Sequence, residues 1–263
     1  MTKEINLELY LTRASELKIE PNFFMSLPYI RLNNLHGFNK DGWVWIEDNG
    51  WCIFPPLPLG DSNVDYAANR IWAMFGDAYL CINSSYKFLD WQYIFCPYNF
   101  TAMVGGTWEV FRKNCRKWPI RNPGYTYSKK SPGLKVGGNL VGEWLEKKAD
   151  KAEDGEFLAR FAIFAQFSGI SRKFLYNSTG QLVGINAWDE NWKYINYRVC
   201  IVKPGEPYLD EFMRYLFYTD EEVLQMEKLV NDGGTLGNEG LERFKDKMNP
   251  LSKVRIYSYE RVK

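Results

Sequence analysis

A short run of polar residues between positions 186 and 208 holds the side chains best suited to chemistry. Asp189 could orient or deprotonate an amine, Tyr208 or Tyr197 could protonate a leaving group, and Arg198 could hold a carboxylate or a phosphate. Strand alternation places Asn196 and Arg198 on one face. The predicted catalytic residues are therefore Asp189, Asn196 and Tyr208, and the predicted substrate-binding residues of this run are Asn186, Asn191 and Arg198.

Each of these residues also has a structural interpretation. Asp189 and Asn191 flank a turn, where Asp and Asn are frequent because their side chains bond nearby backbone groups. Arg198 could equally be an exposed pairing partner on the solvent face of a strand. The residue types alone leave both interpretations open.

A second candidate is the basic segment that begins at Arg112. Arg112, Lys113, Arg116 and Lys117 place four cations within six residues, with Asn114 among them. Arginine presents a fork of donors to phosphate oxygens and lysine a point charge. The cluster predicts binding of phosphates or of a nucleic-acid backbone by Arg112, Lys113, Asn114 and Arg116, and its alternative is a solvated helix face.

The run 172–216 supplies the elements that must position the first candidate site. Apolar Phe174–Tyr176, the turn Asn177–Gly180 and the strand Gln181–Trp188 predict a hairpin, and Tyr194–Val202 predicts a third strand. Apolar residues then recur at helical spacing after Pro207. Three strands followed by a helix form the core unit of the GNAT acyltransferase fold, in which the strand before the helix splays from its neighbour. Many other α+β folds share that order.

The amino-terminal half predicts a similar series of elements. Trp43–Ile46 and Trp51–Phe54 flank a turn and predict a hairpin, Asp65–Phe75 predicts an amphipathic helix, and Trp91–Phe95 predicts a strand. The segment 122–138 is rich in Gly, Ser, Pro and Lys and is interpreted as a linker. The sequence thus predicts an α/β protein of mixed α+β sheets with two domains, 1–125 and 126–263.

Composition excludes several classes of function. Lys and Arg number 33 against 32 for Asp and Glu, so the total charge indicates no preference for nucleic acid or anionic membranes. Five cysteines without a CxxC spacing argue against a disulfide framework and a structural zinc, and a single histidine argues against histidine-rich metal sites, so no metal is expected. Since no long apolar segment occurs, we expect a cytoplasmic protein without membrane insertion.

Several motifs along the chain carry a resemblance to a known family. In the order in which they occur along the chain, these motifs are similar to those of the soluble catalytic domain of lysyl-phosphatidylglycerol synthases. The motifs are Asp90–Phe95, Val104–Trp108, Phe111–Asn114, Gly180–Gly184, and Asn231–Lys245 followed by Pro250. The resemblance spans roughly residues 20 to 260. It implies tandem GNAT-like domains that transfer an aminoacyl group from aminoacyl-tRNA to an acceptor, as Fem-type transferases also do.

The chain departs from this family and from coenzyme A enzymes at two points. It has no membrane segment, so a phospholipid acceptor is not implied. Before the predicted helix, Lys203–Pro207 has one glycine and two prolines, which provide few backbone donors for a pyrophosphate. The donor is therefore expected to be aminoacyl-tRNA or, less favoured by this loop, an acyl-CoA.

Three functions follow as hypotheses. The first is a soluble acyl- or aminoacyltransferase that acts on an amine or hydroxyl acceptor. The second is a transferase of the bacteriophage type that acts on hypermodified thymine in DNA, so that its partners would include modified DNA as well as tRNA. The third is a non-catalytic GNAT-like protein that binds a nucleotide or RNA through the basic cluster.

Overall fold

The computed structural model describes residues 3–4, 7–40, 43–48, 51–52, 54, 57–58, 84–147, 160–162, 169–235 and 237–261. The strands are β1 (Lys3–Glu4), β2 (His36–Lys40), β3 (Trp43–Asp48), β4 (Trp51–Cys52), β5 (Leu57–Pro58), β6 (Ser84–Phe95), β7 (Thr126–Ser128), β8 (Ser171–Tyr176), β9 (Leu182–Glu190), β10 (Tyr194–Val202), β11 (Leu229–Asn231) and β12 (Ser252–Arg261). The helices are α1 (Leu7–Glu16), α2 (Leu27–Leu32), α3 (Tyr98–Ala102), α4 (Glu109–Cys115), α5 (Lys117–Arg121), α6 (Leu134–Lys147), α7 (Leu209–Tyr218), α8 (Glu221–Gln225) and α9 (Glu239–Asp246). A 3₁₀ turn spans Gly106–Trp108. The fold is therefore mixed α/β, as predicted.

The chain divides into two compact units. One comprises Met1–Tyr93, Gly234–Asn238 and Lys253–Lys263, and the other comprises Ile94–Gly233 and Glu239–Ser252. The predicted boundary between residues 125 and 126 falls inside the second unit. The tandem arrangement of two GNAT-like domains stays a prediction, because the predicted helix 65–75 lies outside the described residues.

The first unit contains a sheet in the order β1-β2-β3-β4, with β5 also paired to β3. The predicted hairpin is confirmed, since Asp48 pairs with Trp51 across its turn. Helix α1 covers this sheet with Tyr10, which is fully buried and stacks against Phe54 at 6.0 Å between ring centroids. Its Arg13 donates from Nε to the carbonyl oxygen of Pro58 at 3.0 Å. An apolar helix face and alternating strand residues thus form this core.

In the second unit, the predicted hairpin and the following strand are confirmed as β8, β9 and β10. The Oδ1 atom of Asn177 accepts bonds from the backbone N–H groups of Thr179 and Gln181, at 3.1 and 2.9 Å, and Gly180 has a φ of 79°. An Asn side chain and a left-handed glycine therefore close the turn. Helix α7 follows β10 and packs on the hairpin through a cluster of large apolar side chains. The buried members of that cluster are Trp118, Leu175, Val183, Val202, Leu209, Phe212 and Met213.

The strand order of the second unit contains one parallel pair. Strands β7, β8, β9 and β10 are neighbours in antiparallel order, and the end of β6 is antiparallel to β11. Strand β11 runs parallel to β10, and their pairing ends at Asn196 and Asn231 while β10 continues to Val202. We call the space beyond this last pair, next to Tyr197 of β10 and Asp232 after β11, the wedge.

Several sequence predictions need correction. The segment 122–138, predicted as a linker, contains β7 and the start of α6. A strand of three residues is too short to show the alternation that identifies strands. Two short helices, α3 and α4, follow β6 and do not join, because Met103 has a φ of 45° and Gly105 a φ of 101°, both incompatible with a continuous helix. The sequence also predicts a helix over Glu156–Phe167; of this segment only residues 160–162 are described, and these are helical.

One glycine in the first unit has no space for a side chain. A Cβ atom on Gly234 would lie 1.9 Å from Asp90 Oδ2 and 2.9 Å from the carbonyl oxygen of Trp91. Asp90 Oδ2 accepts the backbone N–H of Thr235 at 2.7 Å, so it cannot move without losing that bond. We expect Gly234→Ala to lower the free energy of unfolding in urea by about 1–3 kcal/mol.

The matched control is Gly142→Ala. Gly142 lies within α6, and no heavy atom lies within 4 Å of its Cβ position. The same substitution there should raise the free energy of unfolding by about 0.5–1 kcal/mol, because alanine restricts the unfolded chain and favours helix. Similar unfolding midpoints for the two variants would contradict the close approach at Gly234.

Candidate functional site

The predicted residues Asp189, Asn196 and Arg198 meet in one buried network of the second unit. Arg198 donates from Nε to Asp189 Oδ2 at 2.9 Å and from Nη2 to Oδ1 at 3.0 Å, and neither side chain is exposed to solvent. Asn196 donates from Nδ2 to the same Oδ1 atom at 2.8 Å. Three donors on the two oxygens satisfy Asp189 as an ion-paired carboxylate.

A β-bulge accounts for this geometry. Tyr197 pairs with Trp188 and Val199 with Ala187, so Arg198 is the extra residue of β10. Asn196 lies directly opposite Asp189, and the bulge directs Arg198 to the same carboxylate. The predicted shared face of Asn196 and Arg198 is confirmed by these contacts. Since Asn196 also ends the parallel pairing with Asn231, the network lies at the closed end of the wedge.

Asn196 leaves one buried atom with no hydrogen-bond partner among the described residues. This atom is its Oδ1, since its Nδ2 group donates to Asp189. A buried carbonyl oxygen without a donor carries a desolvation penalty of about 1–3 kcal/mol. It is an acceptor of this network that the described residues leave unsatisfied.

Asn186 belongs to a separate network on the side of the sheet that α7 covers. Its Nδ2 group donates to the Tyr127 hydroxyl and to the carbonyl oxygen of Met213, each at 2.9 Å. Its Oδ1 accepts from the Tyr197 hydroxyl at 2.5 Å. Burial raises the pKa of Tyr197 well above its ordinary value, so this hydroxyl stays protonated at neutral pH. The bonds of Asn186 join the hairpin to α7.

Asn191 takes part in the turn between β9 and β10. Its Oδ1 atom accepts the backbone N–H groups of Lys193 and Tyr194, at 3.0 and 2.8 Å. Its carbonyl oxygen accepts from Lys228 Nζ at 2.9 Å. These contacts agree with the turn interpretation of Asn191 and do not bring its side chain to the network of Asp189.

The basic cluster lies on α4, on α5 and on the residue between them, and Asn114 connects it to α7. Arg112 donates to the carbonyl oxygen of Met103 at 2.6 Å, and Asn114 donates to Glu211 at 3.1 Å. Lys113 and Arg116 are exposed, without a hydrogen bond or ion pair to the described residues. We call this surface the basic face; it consists of Arg112, Lys113, Asn114, Arg116, Lys117 and Arg121.

Tyr208 lies beside the basic face and not in the network of Asp189. Its ring lies under Lys117 Nζ, at 3.8 Å from the centroid, and its centroid is 5.7 Å from Arg121 Cζ. It precedes α7 with a φ of 67°, a left-handed conformation that is uncommon for a bulky residue. Two cations over one ring fix the position of the tyrosine at this helix start.

Sequence reasoning missed a third network, which lies at the wedge. Asp232 Oδ2 accepts from Arg214 Nη1 and from the Tyr218 hydroxyl, the latter at 2.8 Å, and Lys245 Nζ lies 3.3 Å from its Oδ1. Lys245 also donates to the carbonyl oxygens of Asp232 and Gly233, at 2.5 and 3.2 Å. All four side chains are buried. The residues lie far apart in sequence, and no local pattern connects them.

Two cysteines, Cys115 and Cys200, do not supply a thiolate at neutral pH. Burial raises the pKa of the Cys115 thiol to about 11 and that of Cys200 to about 12. A protonated thiol is a poor nucleophile.

The described residues also include no group of three or more His, Cys, Asp or Glu side chains that could hold a metal ion. Within the same part of the chain, no helix has the length and apolar character needed to cross a bilayer.

The ion pair at the closed end of the wedge leads to a test of the role of Asp189. Replacing one partner leaves the other charge buried, which costs about 3–5 kcal/mol. We expect Asp189→Asn and Arg198→Met each to lower the free energy of unfolding by this amount, measured by urea titration at pH 7. The double variant should lose less than the sum, because it buries no unpaired charge.

A different pattern would support the catalytic interpretation of Asp189. If Asp189→Asn unfolds at the urea concentration of the unmodified protein, the carboxylate does not stabilise Arg198. A loss of turnover without loss of stability would then identify Asp189 as the base that the sequence predicts.

Comparisons with known proteins identify the fold. No family model matches the chain, and no curated protein matches it in sequence. A conserved protein of unknown function from Bacteroides thetaiotaomicron VPI-5482 is similar in structure, with a TM-score of 0.64, 14% identity and 97% of each chain covered. L-PGS from Bacillus licheniformis is 18% identical over 66% of this chain and 60% of that one, but its TM-score of 0.48 is too low to support an argument.

The C-terminal domain (DUF2156) of a putative lysylphosphatidylglycerol synthetase from Agrobacterium fabrum is also similar. Its TM-score is 0.59 at 11% identity, with 96% of this chain and 91% of that chain covered. At such identities the likeness concerns the fold alone. The chain shares the mixed α/β fold of this synthetase domain, as the resemblance in sequence implied.

Proposed function

We propose that the protein is an acyltransferase that moves an acyl or aminoacyl group from a donor to an amine or hydroxyl acceptor. The observation that carries this proposal is the wedge. The parallel pairing of β10 and β11 ends at Asn196 and Asn231 while β10 continues to Val202. In a GNAT-like fold, the end of the pairing on this side of β10 leaves backbone groups available to an acyl donor.

The reaction in this proposal is direct attack. The lone pair of the acceptor nitrogen or oxygen attacks the carbonyl carbon of the donor ester, the new bond forms, and the bond from that carbon to the leaving oxygen breaks. The proton of the acceptor passes to the leaving oxygen. No covalent enzyme intermediate is needed, which agrees with the protonated thiols of Cys115 and Cys200.

The start of α7 favours a donor other than a coenzyme A thioester. Helix amino termini bind phosphates through free N–H groups and the positive end of the helix dipole. Here Asp210 and Glu211 occupy the first turn, and Glu206 accepts from Trp118 Nε1 at 3.2 Å just before it. Three carboxylates at this position would repel a pyrophosphate. The preceding Pro204 and Pro207 have no N–H groups to donate.

The basic face supports a nucleic-acid donor instead. Lys113, Arg116 and Arg121 are exposed cations on consecutive short helices, where a phosphate backbone could contact several of them. The relative from Agrobacterium fabrum is named for lysylphosphatidylglycerol, an aminoacylated lipid, which supports an aminoacyl group as the transferred unit. We therefore propose aminoacyl-tRNA as the donor, with Tyr208 in contact with it and not as the acid that protonates the leaving group.

The predicted catalytic residues take altered roles in this proposal. Asp189 and Arg198 hold Asn196 at the closed end of the wedge, and the Oδ1 atom of Asn196 accepts a hydrogen bond from the incoming acceptor. The acceptor itself is an amine or a hydroxyl. No feature of the described residues favours the hypotheses of DNA modification or of a non-catalytic binding protein.

A transfer assay tests the proposal. Two donors are tested in separate reactions: tRNA charged with a mixture of tritiated amino acids, and labelled acetyl-coenzyme A. Each donor is combined with primary amines, peptides, phosphatidylglycerol vesicles or hypermodified DNA as the acceptor. We expect label to leave aminoacyl-tRNA for one acceptor class faster than spontaneous hydrolysis, and acetyl-coenzyme A to remain intact. Transfer from acetyl-coenzyme A alone would refute the proposed donor, and no transfer from either would refute the transferase.

The basic face generates a separate prediction on donor binding. We expect Lys113→Ala/Arg116→Ala to weaken tRNA binding and to lower the slope of log affinity against log salt by about 1 for each phosphate contact removed. Arg243→Ala/Lys247→Ala is the matched control, because it also removes one exposed arginine and one exposed lysine of the same unit, on α9 and just after it. Filter binding at several salt concentrations measures the slope. An equal change in the control would mean that only total charge matters.

A further inference from the structure

Arg214 occupies a defined place at the wedge. Tyr197 follows Asn196 in β10, and Asp232 follows Asn231, the last residue of β11, so both lie just beyond the last parallel pair. Arg214, on α7, contacts both of them. Its Cζ atom lies 5.2 Å from the centroid of the Tyr197 ring, and its Nη1 group donates to Asp232 Oδ2. The guanidinium therefore lies at the point where the parallel pairing ends.

Two aromatic rings limit the directions in which Arg214 can bond. Its Cζ atom lies 5.2 Å from the centroids of both Tyr197 and Phe244, so the rings cover the flat guanidinium. Hydrogen bonds can then form only at its edge. One part of that edge donates to Asp232, whereas Nε and Nη2 donate to none of the described residues. The side chain is 10% exposed, so this second part of the edge is accessible to a ligand.

Two cations of this network share one carboxylate. Arg214 and Lys245 are both buried, and Asp232 contacts each of them. Burial lowers the pKa of Arg214, but the carboxylate of Asp232 outweighs it and holds the pKa above its ordinary value. The guanidinium is thus charged at every working pH.

If Arg214 and Lys245 served only to stabilise the fold, one cation would be enough for Asp232. Lys245 already neutralises Asp232 and binds two carbonyl oxygens beside it, and Tyr218 donates to the carboxylate as well. A second cation with part of its donor edge open is therefore more than Asp232 requires. It is the arrangement expected where negative charge arrives with a ligand or develops on one.

We propose that the open edge of Arg214 binds the carbonyl oxygen of the transferred acyl group and stabilises the negative charge that develops there. When the acceptor attacks the carbonyl carbon, the π electron pair of the carbonyl moves to its oxygen, beside Nε and Nη2 of Arg214. The oxyanion then reforms the carbonyl as the bond to the leaving oxygen breaks, and the acceptor proton passes to that oxygen. This inference rests on the proposed function and adds a catalytic residue to it.

Kinetics of two Arg214 variants provide the first test. With aminoacyl-tRNA as donor, Arg214→Gln should lower kcat by about 10²–10³-fold, the usual loss for an oxyanion donor, and change KM by only a few fold. Arg214→Lys keeps a charge for Asp232 and should recover part of kcat. Arg243→Gln, on the exposed face of α9, is the matched control and should leave both parameters unchanged. An unchanged kcat, or a rise in KM alone, in a folded Arg214→Gln variant would overturn the inference.

A binding measurement separates this inference from the proposed function. Inorganic phosphate serves as a tetrahedral oxyanion, and the Lys113→Ala/Arg116→Ala background removes two exposed cations of the basic face. We expect phosphate to raise the Tm of this background protein, and the additional Arg214→Gln or Arg214→Lys substitution to abolish or weaken that rise. An equal rise with and without Arg214 would overturn the site. If phosphate binding depends on Arg214 but no donor is consumed, the anion site stands and the transferase assignment falls.

Discussion

The contact of Asp189 with Arg198 and Asn196 is the interaction on which the geometry of the second unit depends. It joins β9 to β10 at the residue where β10 parts from β11, through charged donors in a site without solvent. A bulge at Arg198 makes this contact possible. Backbone pairing by itself would leave the register of β9 on β10 open to slippage. The buried carboxylate removes that freedom, because only one register satisfies it.

The polar groups buried on the two faces of the sheet around the wedge are satisfied in different ways. On one face, Asp189 and Arg198 form a neutral pair. On the face covered by α7, amide and hydroxyl groups of Asn186, Tyr127 and Tyr197 form a chain of neutral bonds. Next to this chain, Arg214 and Lys245 converge on Asp232. Neutral networks tie the strands and helix together, whereas two cations and their shared carboxylate lie at the wedge.

Sequence reasoning recovered what local patterns determine. The turn at Asn177, the strands on both sides of it and the helix after Pro207 follow from residue preference and spacing, and the mixed α/β class follows from their order. Alternation also brought Asn196 and Arg198 together. It could not show that Asp189 is engaged by both, because the bulge that turns Arg198 toward it has no sequence signal. Arg214, Asp232 and Lys245 meet only through tertiary packing, and on α7 Arg214 resembles an ordinary polar-face residue.

Strand β7 forms an edge of the sheet, and its features disfavour backbone pairing with another chain. Among the described strands β7 is the last in its order, and it has only three residues, Thr126–Ser128. Exposed Lys129 and Lys130 follow directly, and Lys129 is paired with Glu222 at 2.9 Å. A strand so short, ending in two charges, offers little template for a β-strand of another chain. Protection from edge-to-edge aggregation is thus provided by the same segment that, through Tyr127, reaches into the core to hold Asn186.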